Sequence, residues 1–236
     1  MGSNVEALPE LAARARPVTL AGERVLPVLP AFEGLLPGGQ GGLRRGSTVA
    51  VAGAAGSTSL ALALLAGASA AGSWAALAGL PSVGLPAAAG FGVALERVVL
   101  VGAPPANAWA TVVATLVDAF DLVLARAGLR VRAGDARRLA ARARERGSVL
   151  IVLADASAAH QWPALGCDLR FTVVATAWEG LADGHGHLQA RRVTVEVGGR
   201  RGADRSRRVD LWLPAADGGV AAVERLAPVR RLGAAS

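Results

Sequence analysis

Between Val49 and Leu65 the chain reads VAVAGAAGSTSLALALL, and that order leaves little freedom. An apolar, β-branched run is followed by a glycine-rich turn and then by a second apolar run long enough for a helix. Strand, glycine turn and helix in succession are the layout of a phosphate-binding loop, where backbone N–H groups hold an anion at a helix N-terminus. The full pattern, G-x-x-x-x-G-K-[ST], needs a lysine where the turn meets the helix. Here the turn is Gly53-Ala54-Ala55-Gly56-Ser57-Thr58-Ser59, with no lysine. Gly53 and Gly56 are expected to keep it tight, and Ser57 or Thr58 to cap the helix.

The omission extends to the whole protein. All 25 basic residues are arginine, so no lysine can clamp a phosphate, form a Schiff base or act as a general base anywhere in the chain. A net charge of +7 suits an acidic partner, either nucleic acid or an acidic protein segment. The single cysteine, Cys167, excludes an intramolecular disulfide framework and fits a reducing cytoplasm. No signal peptide is evident, because Met1 to Arg16 holds two glutamates and a proline before any apolar run.

From Gly46 to Leu95 the chain carries no charged residue at all. Glycines and prolines break this region too often for a membrane-spanning helix, which needs about 20 apolar residues in a row. It is therefore read as buried strands and helices, with no membrane contact. Even a core helix normally shows some charge to solvent, yet 59-SLALALLAGASAAG-72 shows none. Either both faces are covered within the domain, or one is an apolar contact for another chain; Ala63 and Ala70 are the candidate interface positions.

Strand and helix signals then alternate. A helix over Asn4 to Ala15 precedes a proline- and glycine-rich lead, 26-LPVLPAFEGLLPGGQGGLRRGS-47, that resists regular structure. After the helix from Ser57 to about Ala71 come the strands 73–78, 97-RVVLVG-102, 121-DLVLA-125 and 148-SVLIVLA-154. A turn of helix near Pro86 to Gly90, a helix opened by Pro104 and Pro105, and a basic helix over 134–147 separate them. Continuous apolar strands between helices indicate a parallel sheet buried on both faces. In the last third, 169-LRFTVVATAWEG-180, 187-HLQARRVTVEVG-198 and 208-RVDLWL-213 alternate at period two, as antiparallel strands do. The organisation is an N-terminal helix or extension over 1–25, an α/β core over 26–213 and a partly flexible tail over 214–236.

This order of elements resembles the RecA superfamily core. The lead-in 36-LPGGQGGLRRGSTVAVAG-53 and the closing antiparallel segment are most similar to the short ImuA and SulA-like relatives found in bacterial mutagenesis operons. The resemblance implies a RecA-like fold, a mainly parallel sheet flanked by helices with a C-terminal antiparallel extension. It also implies a site that this chain has lost. The lysine position falls on Ser57 or Thr58, the acid that should end the second strand is missing from 75-AALAGLPSVG-84, and Ala125 and Arg126 stand where a magnesium-supporting aspartate belongs. Asp121 opens its strand, at the wrong end of the sheet. Phosphoryl transfer rests on positioning and charge neutralisation, so the implied protein is not an enzyme and needs no cofactor. The resemblance implies an adaptor in DNA-damage-induced translesion synthesis. It would bind an ImuB-like inactive polymerase and, through it, an error-prone replicative-type polymerase, in the cytoplasm and at the nucleoid during repair. Two alternatives stay open: a SulA-like inhibitor binding the division protein FtsZ, and a DNA-binding ATPase relative.

Two further clusters have bland and specific readings. Arg200, Arg201, Arg205, Arg207 and Arg208 in 199-GRRGADRSRR-208 could touch phosphates weakly and without sequence preference, or grip an acidic partner. Arg137, Arg138, Arg142, Arg144 and Arg146 share one helix, where a solvated face is the simpler reading, with Ala136, Leu139 and Ala143 turned inward. Asp183, His185 and His187 have metal-ligand spacing but sit among hairpin glycines, and packing explains His160 beside Trp162.

Overall fold

A computed structural model describes residues 25–36, 41–53, 55–127, 131–154, 166–182, 185–200 and 206–223. The expected helix over Asn4 to Ala15, the segment holding His160 and Trp162, and most of the tail lie outside the described residues.

One nine-stranded sheet organises the chain, in the order β11-β10-β9-β8-β3-β7-β6-β4-β5. Its parallel part comprises β3 (Thr48–Gly53), β4 (Ala75–Ala78), β5 (Val98–Val101), β6 (Leu122–Ala127), β7 (Val149–Ala154) and the start of β8 (Leu169–Ala182). The remainder, β9 (His185–Gly199), β10 (Arg207–Trp212) and the short β11 (Ala221–Ala222), adds antiparallel strands on one side. This is the α/β layout that the continuous and alternating apolar patterns predict. Successive residues of a strand point to opposite faces, so Val49 and Val51 join one apolar cluster while Ala50 and Ala52 join the other. Helix α4 (Trp109–Ala119) and helix α5 (Ala133–Arg146) cover the second face.

The first face explains the uncharged region. Helix α2 (Ser57–Ala70) is buried on nearly every side, from Leu60 through Ala66 and again at Ala68 and Ser69. It has the sheet beneath it, helix α3 (Leu85–Gly90) beside it and the lead-in above. That lead-in is structured, contrary to expectation. Strand β1 (Val25–Pro27) pairs with β2 (Gly42–Arg44), and the short helix α1 (Pro30–Glu33) places Phe32 in the core. The Val28–Leu29 backbone lies directly on Gly67, where an added Cβ would stand 2.5 Å from the Val28 carbonyl carbon. Coverage within the domain, not a partner chain, therefore accounts for most of the missing charge.

Two smaller differences have local causes. Helix α4 starts at Trp109 rather than at Pro105, because the Pro105 carbonyl accepts the Ala108 N–H at 2.9 Å and closes a separate turn first. Strands β8 and β9 outrun their neighbours: β3 pairs with β8 only to Val173 and β10 with β9 only from Arg192. Past that point they form a two-stranded ribbon, leaving the sheet at an irregularity between Val173 and Ala175.

Candidate functional site

The glycine turn sits at the carboxyl end of β3, which has a parallel neighbour on each side. Gly53 has φ +117, and a Cβ there would lie 2.2 Å from the Val173 carbonyl oxygen. Glycine is required at that position by both conformation and space. Gly56, at φ +110, is the N-cap of α2, and no side chain caps the helix. Ser57 and Thr58 are half-buried members of the first turn, not the caps expected, because a glycine in the left-handed region already ends the turn one residue earlier. Ala54 lies outside the described residues. The first intrahelical bond runs from the Leu60 N–H to the Gly56 carbonyl at 2.9 Å, so the N–H groups of Ser57, Thr58 and Ser59 have no backbone acceptor in the helix.

Among the described residues no parallel strand of the sheet ends in an acid on the side of this turn; Asp155, which follows β7, lies outside them. Strands β4, β6 and β7 end in Ala78, Ala127 and Ala154. Asp121 opens the chain into β6 at the opposite end, where it accepts Arg45 at 2.8 Å and the Trp74 N–H at 3.3 Å. It ties the β2–β3 turn to the sheet.

What does face the turn is Arg191, from β9. The residue is 9 % exposed. Its Nη2 donates to Ser59 Oγ at 2.7 Å and its Nε to the Leu213 carbonyl at 2.6 Å. Across the ladder Arg191 pairs with Trp178, whose ring centroid is 5.1 Å from the guanidinium carbon. A Cβ on Gly56 would stand 3.6 Å from that carbon. The guanidinium is thus held between an indole and the glycine turn, and burial pulls its pKa below the ordinary arginine value. The sequence carries a signal for this that lies outside any local motif. In 187-HLQARRVTVEV-197 Arg191 falls in phase with Val193, Val195 and Val197, which are all buried, so the period-two pattern puts a charge on the core face.

The other candidates are dispersed. Ala63 is fully buried and cannot meet a partner, whereas Ala70 is exposed at the end of α2. Arg201 and Arg205 lie outside the described residues. Arg208 pairs with Glu196, Arg207 reaches the Gly34 carbonyl at 3.4 Å, and Arg200 is exposed. On α5 the inward residues are Ala136, Leu139 and Ala143, as expected. Arg142 and Arg146 share Asp118 on α4, and the Arg142 hydrogen bond holds that carboxyl below its usual range. His185 and His187 are exposed on β9, Asp183 is outside the described residues, and no group of three metal-ligand side chains forms among the described residues. Among the same residues no helix is long and apolar enough to cross a membrane.

Comparison with known proteins gives two matches. The family described as the MT3502 N-terminal domain matches residues 34–164. A Mycobacterium tuberculosis (strain ATCC 25618 / H37Rv) protein named "Uncharacterized protein Rv3395c" is 39 % identical over 119 residues, which is 50 % of this chain and 56 % of that protein. The chain therefore matches a little over half the length of this relative.

Proposed function

The chain belongs to the MT3502 N-terminal domain family, and we propose that it is a non-catalytic, RecA-like adaptor. In this reading it binds an ImuB-like inactive polymerase in a DNA-damage-induced translesion complex, and through it an error-prone replicative-type polymerase. It would work in the cytoplasm and at the nucleoid during repair. The RecA-like part of the reading is supported by a glycine turn at the end of a central parallel strand, helices on both faces and a closing antiparallel segment.

The observation that carries the absence of catalysis is the state of the turn. Phosphoryl transfer needs a cation on the terminal phosphates, a metal ligand and a group to orient the nucleophile. Here the chain has no lysine, and among the described residues the parallel strands β4, β6 and β7 end in alanine. The cation beside the turn is Arg191, fixed by Ser59, Leu213 and Trp178. A RecA-like frame without that chemistry retains its surfaces, which is what an adaptor uses.

Co-purification of the full chain with an ImuB-like protein tests the pathway: a stable complex is expected. Binding to FtsZ in its place would overturn the reading in favour of a division inhibitor. Titration with Mg-ATP tests the pseudo-enzyme half, and saturable binding would overturn that.

A further inference from the structure

Arg191 presents an electrostatic arrangement that neither the fold nor the turn explains. A helix N-terminus carries a partial positive charge of about half a unit, and cations are unfavourable there. The sequence nonetheless places a guanidinium, 9 % exposed, beside the first turn of α2. No carboxylate pairs with it among the described residues, where the ion pairs use other arginines. Its two bonds use Nε and Nη2, and Nη1 has no hydrogen-bond partner among those residues. The N–H groups of Ser57, Thr58 and Ser59 have no acceptor among the described residues, and the helix has no side-chain cap. Two positive features thus share one small space, with no carboxylate between them among the described residues.

We propose that this site takes the carboxylate of an acidic peptide segment from a protein partner. The inference rests on the adaptor reading and names the chemistry of the contact. A carboxylate has the single charge that one guanidinium can neutralise and the two oxygens that a guanidinium and a helix N-terminus can share. A polyphosphate would bring several charges to a site that has no lysine and, among the described residues, one fixed cation and no metal-holding acid. The surroundings favour a peptide over a free acid. Trp178, Leu181 and Leu188 are 42 %, 60 % and 51 % exposed on the ribbon that carries Arg191, so apolar side chains flanking the carboxylate have surface to cover.

The test uses the full chain labelled with nitrogen-15 and the probe acetyl-Leu-Asp-Leu-amide, with acetyl-Leu-Asn-Leu-amide as its neutral twin. The aspartyl peptide should move the amide resonances of Ser57, Thr58 and Ser59 and the Arg191 Nε–H in a saturable way. The asparaginyl peptide should bind about tenfold or more weakly, as expected when a charge-assisted hydrogen bond becomes neutral. R191Q should remove the response. Should that buried substitution prevent folding, the comparison of the two peptides on the unmodified chain still decides, and R191K, which keeps the charge but not the fork, should bind more weakly than the original. The proposal is overturned if the aspartyl peptide moves none of these resonances, or if both peptides act alike. Either result leaves the adaptor reading to its own test by co-purification. A stronger response to Mg-ATP than to the aspartyl peptide overturns both.

Discussion

Gly67 sets two measurable effects against each other. Within a helix interior, glycine to alanine gains about 1 kcal/mol from propensity. At this position the new methyl would stand 2.5 and 2.7 Å from the Val28 carbonyl carbon and Cα, which are backbone atoms that cannot swing away. Forcing a methylene into a packed contact costs typically about 1–3 kcal/mol, so G67A should be net destabilising by about 1 kcal/mol or more in urea unfolding. A gain in stability would show that the lead-in does not press on α2. Cys167 offers a second test, made clean by composition. The chain has no lysine, no tyrosine and one cysteine, so no other side chain titrates between pH 9 and 11. Burial, then the Asp168 charge, pushes the Cys167 thiol from 9.0 up to about 11. Below pH 9 both folded and unfolded chains keep the proton and the contribution is fully present. Above it the unfolded chain ionises first, and stability falls as pH rises toward 11, by at most about 2 to 3 kcal/mol. C167A should flatten that decline; an unchanged slope would refute the assignment.

At the scale of elements, α2 shows what patterning can and cannot disclose. The run of residues without charge announces burial, and the helix appears at Ser57–Ala70 as the sequence predicts. What covers it was hidden, because β1 and β2 are three residues each, punctuated by proline and glycine, and gain their stability only from tertiary contact. Exposed and buried alanines look alike in sequence, so Ala63 and Ala70 stood as equals; burial separates them. A63R would place an unpaired charge in a fully buried position, a cost of several kcal/mol that should abolish cooperative unfolding. A70R falls at the exposed last residue of the helix, where a cation gains about 0.3–1 kcal/mol from the dipole, and should fold normally. Circular dichroism melts of the two variants decide it, and a stable A63R would contradict the packing around α2. The candidate site divides in the same way. Gly53 and Gly56 are visible as a local motif, whereas Arg191 reaches the turn across 132 residues of sequence to Ser59 and is betrayed only by its phase in β9.

Across the whole molecule, the family match over residues 34–164 does not coincide with a unit that can close its own core. It contains β3 to β7 with their helices but omits both β1, which covers α2, and β8, which covers one edge of β3. That edge is central: Val49 to Gly53 pair with Leu169 to Val173, and Asp168 Oδ2 accepts the Thr48 N–H at 2.9 Å and its hydroxyl at 3.2 Å. Beyond residue 164 the first-face cluster also draws on Phe171, Val173, Val193, Val195, Val197, Leu211 and Leu213, all nearly inaccessible. At about 1.5–3 kcal/mol for each fully buried large side chain, these seven are worth about 10 kcal/mol or more. A domain has a net stability of only about 5–15 kcal/mol, so a fragment spanning 34–164 should not fold alone. One edge of the central parallel strand is therefore completed across a loop of 120 residues from Thr48 to Asp168, which ties α2 and its glycine turn to the presence of the C-terminal strands. Expressed separately, the fragment should bind hydrophobic dyes and melt without a transition, while the full chain unfolds in one cooperative step. A sharp, reversible transition in the fragment would mean that β8 to β10 are an appendage and that Arg191 is carried to the turn by a separable element.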